Sequence, residues 1–208
     1  MSANLSSFGV DAYPFLSEVV EIRRRARLHI QDGATTDGDG AERDVLPLLD
    51  EALAAELLRY RRHYSMASGA VAESLKKGEF LRYAQEEQGH ADLIAQRIRQ
   101  LGGLPNLAPP LRDDGGSAYP EDEDDSLADM VAEDLIAERI AIDNYRDMIR
   151  YLGDKDAATR GLFESIIAVE QQHVEELVRM REQMLGLERA AAGANGNNDE
   201  KLEKGDDV

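Results

Sequence analysis

The sequence has no cysteine and no tryptophan. Without thiols there is no disulfide, no thiolate zinc site and no iron–sulfur cluster. Aromatic residues are 5% of the chain, and no alternating runs of Val, Ile and Thr occur, so the expected class is all-α. No apolar run approaches the roughly 18–20 residues of a membrane span. The first residues show no basic-then-apolar signal pattern either, which points to the cytoplasm. Positive charge is scarce as well. With 24 Lys and Arg against 42 Asp and Glu, the net charge is −18. That balance argues against DNA phosphates as a partner and suits the attraction of cations, although the same acids also serve solubility.

What the sequence does have is helical periodicity. Residues 1–14 read as a loose leader, and Phe15 to Ile30 as a short amphipathic helix with Val19, Ile22, Ala26 and Ile30 on one face. Arg23, Arg24, Arg25 and Arg27 lie around that helix, and Gly33 to Gly40 is a linker. Residues 1–43 thus form an N-terminal extension that packs outside the domain or on a neighbouring subunit. Residues 44–186 form the domain. A first long helix is expected from Asp44, as N-cap, to Ser68. A second follows a short connection and ends at Leu101, before Gly102, Gly103 and Pro105. Ser126-x-x-Asp129 resembles a capping box opening a third helix to Leu152. Gly153 stops it, and Asp156 caps a fourth, expected to end at Leu185 before Gly186. Residues 187–208 are expected to be a disordered acidic tail.

The connection over residues 102–125 is long for a helix pair. Extended, it reaches roughly 80 Å, against about 45 Å for a helix of about 30 residues. The expected fold is therefore a four-helix bundle of two antiparallel hairpins joined by a crossover.

Inside the apolar stripes sit residues that do not belong in a core. Glu87-Gln-Gly-His90 lies in the second helix and Glu170-Gln-Gln-His173 in the fourth. Residues three apart share a helix face, so each motif aims a carboxylate and an imidazole the same way. Glu56 and Glu138 occupy matching places in the first and third helices, 31 and 32 residues before Glu87 and Glu170. Four buried carboxylates facing one another are costly. The basic residues of these helices read as lying on other faces, which leaves two divalent cations to balance the charge. One Glu from each of two helices plus Glu-x-x-His from each of the other two is the arrangement of di-iron carboxylate bundles. Carboxylate and imidazole donors suit iron or manganese and do not exclude zinc.

The phrases EALAAELLRYRRHYSMASG, YAQEEQGHADLIAQRIRQLGGLPNLAP and EDLIAERIAIDNYRDMIRYLGD make residues 44–185 resemble the ferritin-like superfamily. The resemblance is to bacterioferritins and to Dps-like ferritins with a bacterioferritin-type centre. It implies Glu56 and Glu138 as terminal carboxylates, Glu87 and Glu170 as carboxylates bridging two irons, and His90 and His173 as terminal imidazoles. These six are the candidate metal ligands and catalytic groups. The implied activity is that of a ferroxidase: Fe²⁺ oxidised by O₂ or H₂O₂ and stored as mineral in a hollow homo-oligomeric shell. Gln88 stands where haem-binding relatives have an axial Met, so haem is not expected. Few apolar residues follow Gly186, whereas shells of 24 subunits use a short fifth helix, so 12 subunits are the expectation and 24 the alternative. A rubrerythrin-like peroxidase or a manganese catalase would use the same bundle. A Dps-like DNA-protecting shell would need a basic surface, for which only the arginines of 23–27 are candidates.

Of the remaining residues, His63 reads as a core-edge imidazole with a hydrogen bond to the ligands as the alternative. Tyr60, Tyr83 and Tyr145 read as packing, with hydrogen bonds to the carboxylates or electron transfer as the alternative. Glu86, Glu133, Glu175 and Glu176 read as solvated or, for some, as lying on an iron entry route.

Overall fold

A computed structural model describes residues 14–33, 41–68, 74–108 and 126–202. It has five helices: α1 (Pro14–Gly33), α2 (Ala41–Ser68), α3 (Ser74–Gln100), α4 (Leu127–Leu152) and α5 (Ala157–Leu202). No strand occurs among the described residues, so the class is all-α as expected. The Gly33 to Gly40 linker except Gly33, the 69–73 connection and the acidic run 121–125 lie outside them.

The helix ends follow local chemistry. At the end of α3, Gly103 N–H bonds the Ile98 carbonyl at 2.9 Å and Gly102 N–H bonds that of Arg99 at 3.0 Å. With Gly102 at φ +75°, this is a Schellman closure, and only glycine enters that region without penalty. Ser126 Oγ accepts from Asp129 N–H at 3.2 Å, the N-cap half of the expected capping box, and donates its hydroxyl to the Asp129 carboxylate at 2.7 Å, where the full motif would use the Ser126 backbone N–H. Asp156 accepts from Thr159 N–H at 3.0 Å and caps α5.

Three boundaries differ from expectation. Pro14, read as leader, opens α1, since a proline in the first turn forfeits no helical hydrogen bond. α2 starts at Ala41 rather than after Asp44, which places Pro47 inside the helix. Good helix formers at Ala41, Glu42 and Arg43 offset the one bond a proline removes. α5 passes through Gly186, before which the fourth helix was expected to end, and runs to Leu202. Gly186 is not among the glycines with positive φ, so it forms no cap. A glycine within a helix costs only about 1 kcal/mol against alanine.

Two apolar clusters fill the bundle. One joins Leu49, Leu53, Ile94, Ile98, Met148 and Phe163; the other joins Met66, Phe80, Tyr83, Val131, Leu177 and Met180. α2 and α5 pass from the first cluster to the second, and α3 and α4 from the second to the first. Each hairpin is therefore antiparallel, while α3 and α4 run the same way. The connection between them must travel the length of the bundle, as the crossover reading expects. The site lies between the two clusters.

α1 packs within its own chain. Phe15, Leu16, Val19 and Ile22 bury against Leu58, Ala137 and Ile140 of α2 and α4. Each such side chain contributes about 1.5–3 kcal/mol on burial. Its arginines then pair with acids: Arg25 with Glu51 at 2.9 Å, Arg27 with Asp147 at 3.1 Å, Arg24 with Glu21 at 2.6 Å, and Arg23 with Asp143 at 3.8 Å.

Candidate metal centre

Glu56, Glu87, Glu138 and Glu170 project from α2, α3, α4 and α5 into the gap between the apolar clusters, each at most 1% exposed. His90 and His173 follow one turn after Glu87 and Glu170; His173 is fully enclosed and His90 is 7% exposed. All six predicted side chains meet there.

The donors sort into two groups. Glu56, Glu87, His90 and Glu170 form one, and Glu87, Glu138, Glu170 and His173 the other, with donor atoms in each within 4.8 Å of one another. Glu87 and Glu170 belong to both. His90 Nδ1 lies 3.2 Å from Glu56 Oε2, 3.2 Å from Glu170 Oε1 and 3.6 Å from Glu87 Oε2. His173 Nδ1 lies 3.3 Å from Glu170 Oε2, 3.6 Å from Glu87 Oε1 and 3.9 Å from Glu138 Oε1. Each shared carboxylate turns one oxygen to each imidazole.

One expectation fails here. A basic residue does lie in the stripes. Arg59 is 3% exposed, and its Nη2 sits 2.5 Å from Glu56 Oε1, 3.0 Å from Glu170 Oε1 and 3.3 Å from Glu87 Oε2. Its Nε is 3.7 Å from Glu138 Oε2. Arg59 comes three residues after Glu56, and so shares its face by the rule that pairs Glu87 with His90. The spacing was the available signal.

The charges are correspondingly uneven. Burial pushes Glu56 up to about 7, with Arg59 opposing and Glu87 reinforcing. Burial and the neighbouring Glu170 raise Glu138 well above the carboxylate range. Burial also acts on Glu87 and Glu170, but Arg59 and the two imidazoles outweigh it. Glu87 falls well below its usual value and Glu170 to about 2. His90 rises to about 12 and His173 to about 10, because contacts with these carboxylates exceed the cost of burial. At neutral pH the metal-free site thus sets ionised Glu87 and Glu170 against Arg59 and the charged imidazoles, while Glu138 holds its proton and Glu56 is partly ionised.

The donor set fits divalent cations. Glu87 Oε1, both oxygens of Glu138, Glu170 Oε2 and His173 Nδ1 are buried with no hydrogen-bond partner. Nitrogen and oxygen donors left bare in a core are costly unless something else satisfies them. His173 also bonds Glu86 through Nε2 at 2.6 Å, the second contact that fixes a metal-binding imidazole.

The ferritin-like domain family matches residues 48–185. The chain belongs to the ferritin-like family. Among curated relatives, it is 30% identical to a bacterioferritin of Mycolicibacterium paratuberculosis (strain ATCC BAA-968 / K-10), over 72% of this chain and 92% of the relative. It is 32% identical to a bacterioferritin of Rhodobacter capsulatus, over 64% of this chain and 80% of the relative. Two solved structures share the fold. The Desulfovibrio desulfuricans bacterioferritin, described with its diiron site in different catalytic states, superposes with a TM-score of 0.65 at 22% identity, covering 72% of this chain and 86% of that one. A ferritin-like, diiron-carboxylate protein of Bacillus anthracis str. Ames does so with a TM-score of 0.58 at 24% identity, covering 69% and 99%.

Around the ligand cluster, this ferritin-like chain places residues read otherwise from sequence. His63 is 1% exposed, with Nε2 3.4 Å from Asp134 and 3.9 Å from Glu138; it is not at the core edge. Asp134 is equally buried, with Arg62 Nε 3.5 Å from its Oδ1. Glu133, read as solvated, is buried and accepts from Arg62 at 3.1 Å. Glu86 holds His173, and Glu176 accepts from Tyr83 at 3.0 Å and from Arg82. Tyr145 packs on Phe163 and also donates to Glu56. Glu175 is exposed, as expected.

Proposed function

We propose that this ferritin-like chain is a ferroxidase that stores or detoxifies iron. Glu56, Glu87, His90, Glu138, Glu170 and His173 would hold two metal ions, with Glu87 and Glu170 bridging. The observation that carries the reading is the pair of four-donor groups sharing two carboxylates in a buried, otherwise apolar gap. Two Fe²⁺ held there each give one electron to O₂ or H₂O₂. The protein's part is to position and to neutralise. Glu86 orients His173 through Nε2, and Tyr145 donates to Glu56, leaving its other oxygen toward His90. The apolar clusters at either end exclude water. Binding must expel the protons of Glu56, Glu138 and the imidazoles, so metal affinity should climb with pH.

The bacterioferritin relatives favour iron over manganese and a shell over a lone bundle. The single unbroken α5, which leaves no separate short fifth helix among the described residues, supports twelve subunits over twenty-four. A DNA-protecting role finds no support in α1, whose arginines all pair with acids of the same chain.

Anaerobic Fe²⁺ titration of the metal-free protein, followed by O₂, tests the proposal. Two Fe²⁺ per chain should bind and oxidise rapidly, and excess iron should then mineralise. Glu87→Ala and Glu170→Ala should each slow oxidation about 100-fold or more, a loss of about 2.7 kcal/mol of barrier lowering, with helical circular dichroism retained. Wild-type kinetics in both variants would remove these residues from the reaction.

A further inference from the structure

The two donor groups are not in the same condition, and the difference lies in one side chain. Arg59 Nη2 touches Glu56 Oε1, Glu170 Oε1 and Glu87 Oε2. The last two are the oxygens turned toward His90. The guanidinium nitrogen therefore stands where a cation of the Glu56–Glu87–His90–Glu170 group would stand. Across the shared carboxylates the opposite holds. Glu87 Oε1, Glu138 Oε1, Glu170 Oε2 and His173 Nδ1 face one another without a hydrogen-bond partner among them.

We propose that Arg59 is a built-in counter-ion that makes metal loading sequential. The first divalent cation enters the group of Glu87, Glu138, Glu170 and His173, and the second binds beside His90 only after the guanidinium withdraws. The inference deepens the ferroxidase reading and rests on it.

The physical argument is one of exchange. A guanidinium touching three carboxylates and lying near a fourth is a strong fixed cation in a water-poor site. A metal entering the His90 group must break those contacts and move a +1 charge away. A metal entering the His173 group displaces protons from Glu138 and His173, as the other group must lose them from Glu56 and His90, but it has no fixed guanidinium nitrogen to move out of its place. Withdrawal has a direction available. Arg59 lines a small cavity with Leu58, Val19 and Ile22 of α1, and Asn144 of α4. Asn144 is 5% exposed, and its Oδ1 has no hydrogen-bond partner, so the cavity, which none of the four glutamates lines, holds an acceptor; Arg23 of α1 lines it too and repels an arriving guanidinium unless it moves away with α1. The cavity measures about 10 Å³, room for about one water molecule. α1 must therefore ease outward slightly as the guanidinium arrives. The N-terminal extension thereby becomes part of the loading step.

Calorimetric titration of the metal-free full chain with Zn²⁺, which undergoes no redox change, reads the proposal without catalysis. The native protein should bind two Zn²⁺ per chain in two resolved steps, the second at least tenfold weaker. His173→Ala should abolish the tight step and His90→Ala the weak one. Arg59→Met, close in volume and uncharged, should tighten the second step at least tenfold, and its metal-free form should melt at a lower temperature than the native protein. A single step of two equal sites in the native protein overturns sequential loading, and so does a gap unchanged by Arg59→Met. The histidine variants decide the matter independently should Arg59→Met fail to fold. If the native protein binds no Zn²⁺ and no Fe²⁺, the ferroxidase reading itself falls. Two bound ions with the wrong order sink only the role of Arg59.

Discussion

At the residue scale, the four glutamates share a site but not a state, and this can be measured without metal. Glu138 keeps its proton and has neither oxygen hydrogen-bonded. Glu170 is ionised and held by Arg59, His90 and His173. Glu138→Gln should therefore hold or raise the stability of the metal-free protein, by up to about 1–2 kcal/mol in urea unfolding, because it relieves a buried acid. Glu170→Ala should lower it by about 3–5 kcal/mol, because it leaves part of a buried cation uncompensated. The reverse ranking would mean that Arg59 does not lie among these carboxylates. Glu56 and Glu138 both add to the pH dependence above 4.5, and for Glu56 the window is defined. The Glu56 carboxyl rises from 4.5 to about 7 on folding. Between those values the unfolded chain has released the proton and the folded chain retains it. The metal-free fold thus loses stability as pH rises through that window, on the order of 3 kcal/mol from this group. Glu170, lowered to about 2, acts the other way below 4.5. In melts from pH 4.5 to 7, Glu56→Gln should flatten the decline; curves of equal slope for variant and native protein would refute the assignment.

At the scale of elements, the periodic stripes specified the bundle and Ser126 and Asp156 specified two helix starts, because both signals are local. The six acid and imidazole positions were legible for a related reason: a charged residue in an apolar stripe stands out. Arg59 stands in the same stripe, yet a reading that sends arginine to the surface passes over it. The burial of Glu133, whose partner Arg62 stacks on Phe15 of α1, was out of reach for a different reason. It depends on α1 lying across α2 and α4, a packing choice that periodicity does not encode. That choice can be tested. Ile22 is 3% exposed against Leu58, Ala137 and Ile140, so Ile22→Ala should cost about 2–5 kcal/mol in urea unfolding. Metal stoichiometry should stay at two ions per chain, since no ligand lies on α1. A cost below about 0.5 kcal/mol, the range of surface substitutions, would detach α1 from the bundle in solution.

For the whole molecule the governing quantity is charge. At −18 per chain, folding concentrates acids that repel one another. The arginine cluster of α1 is spent: Arg23, Arg24, Arg25 and Arg27 each pair with a carboxylate of their own chain. Assembly into a shell would bring several such surfaces together and strengthen the repulsion. Salt therefore discriminates between the two readings of this surface. A DNA-binding shell would lose its partner as salt rises, because binding is driven by counterion release. An acidic iron-storing shell should gain, because added salt screens self-repulsion over about 10 Å at 0.1 M and less at higher concentrations. Melting of the metal-free protein should accordingly rise between about 0.05 and 0.5 M NaCl, by roughly 2–4 °C for each kcal/mol recovered. Duplex DNA should migrate unretarded beside it throughout that range. A retarded band that fades with salt, together with a falling melting temperature, would mean that cationic surface outside the pairs described here dominates. The acidic exterior would then have to give up its place in the functional argument.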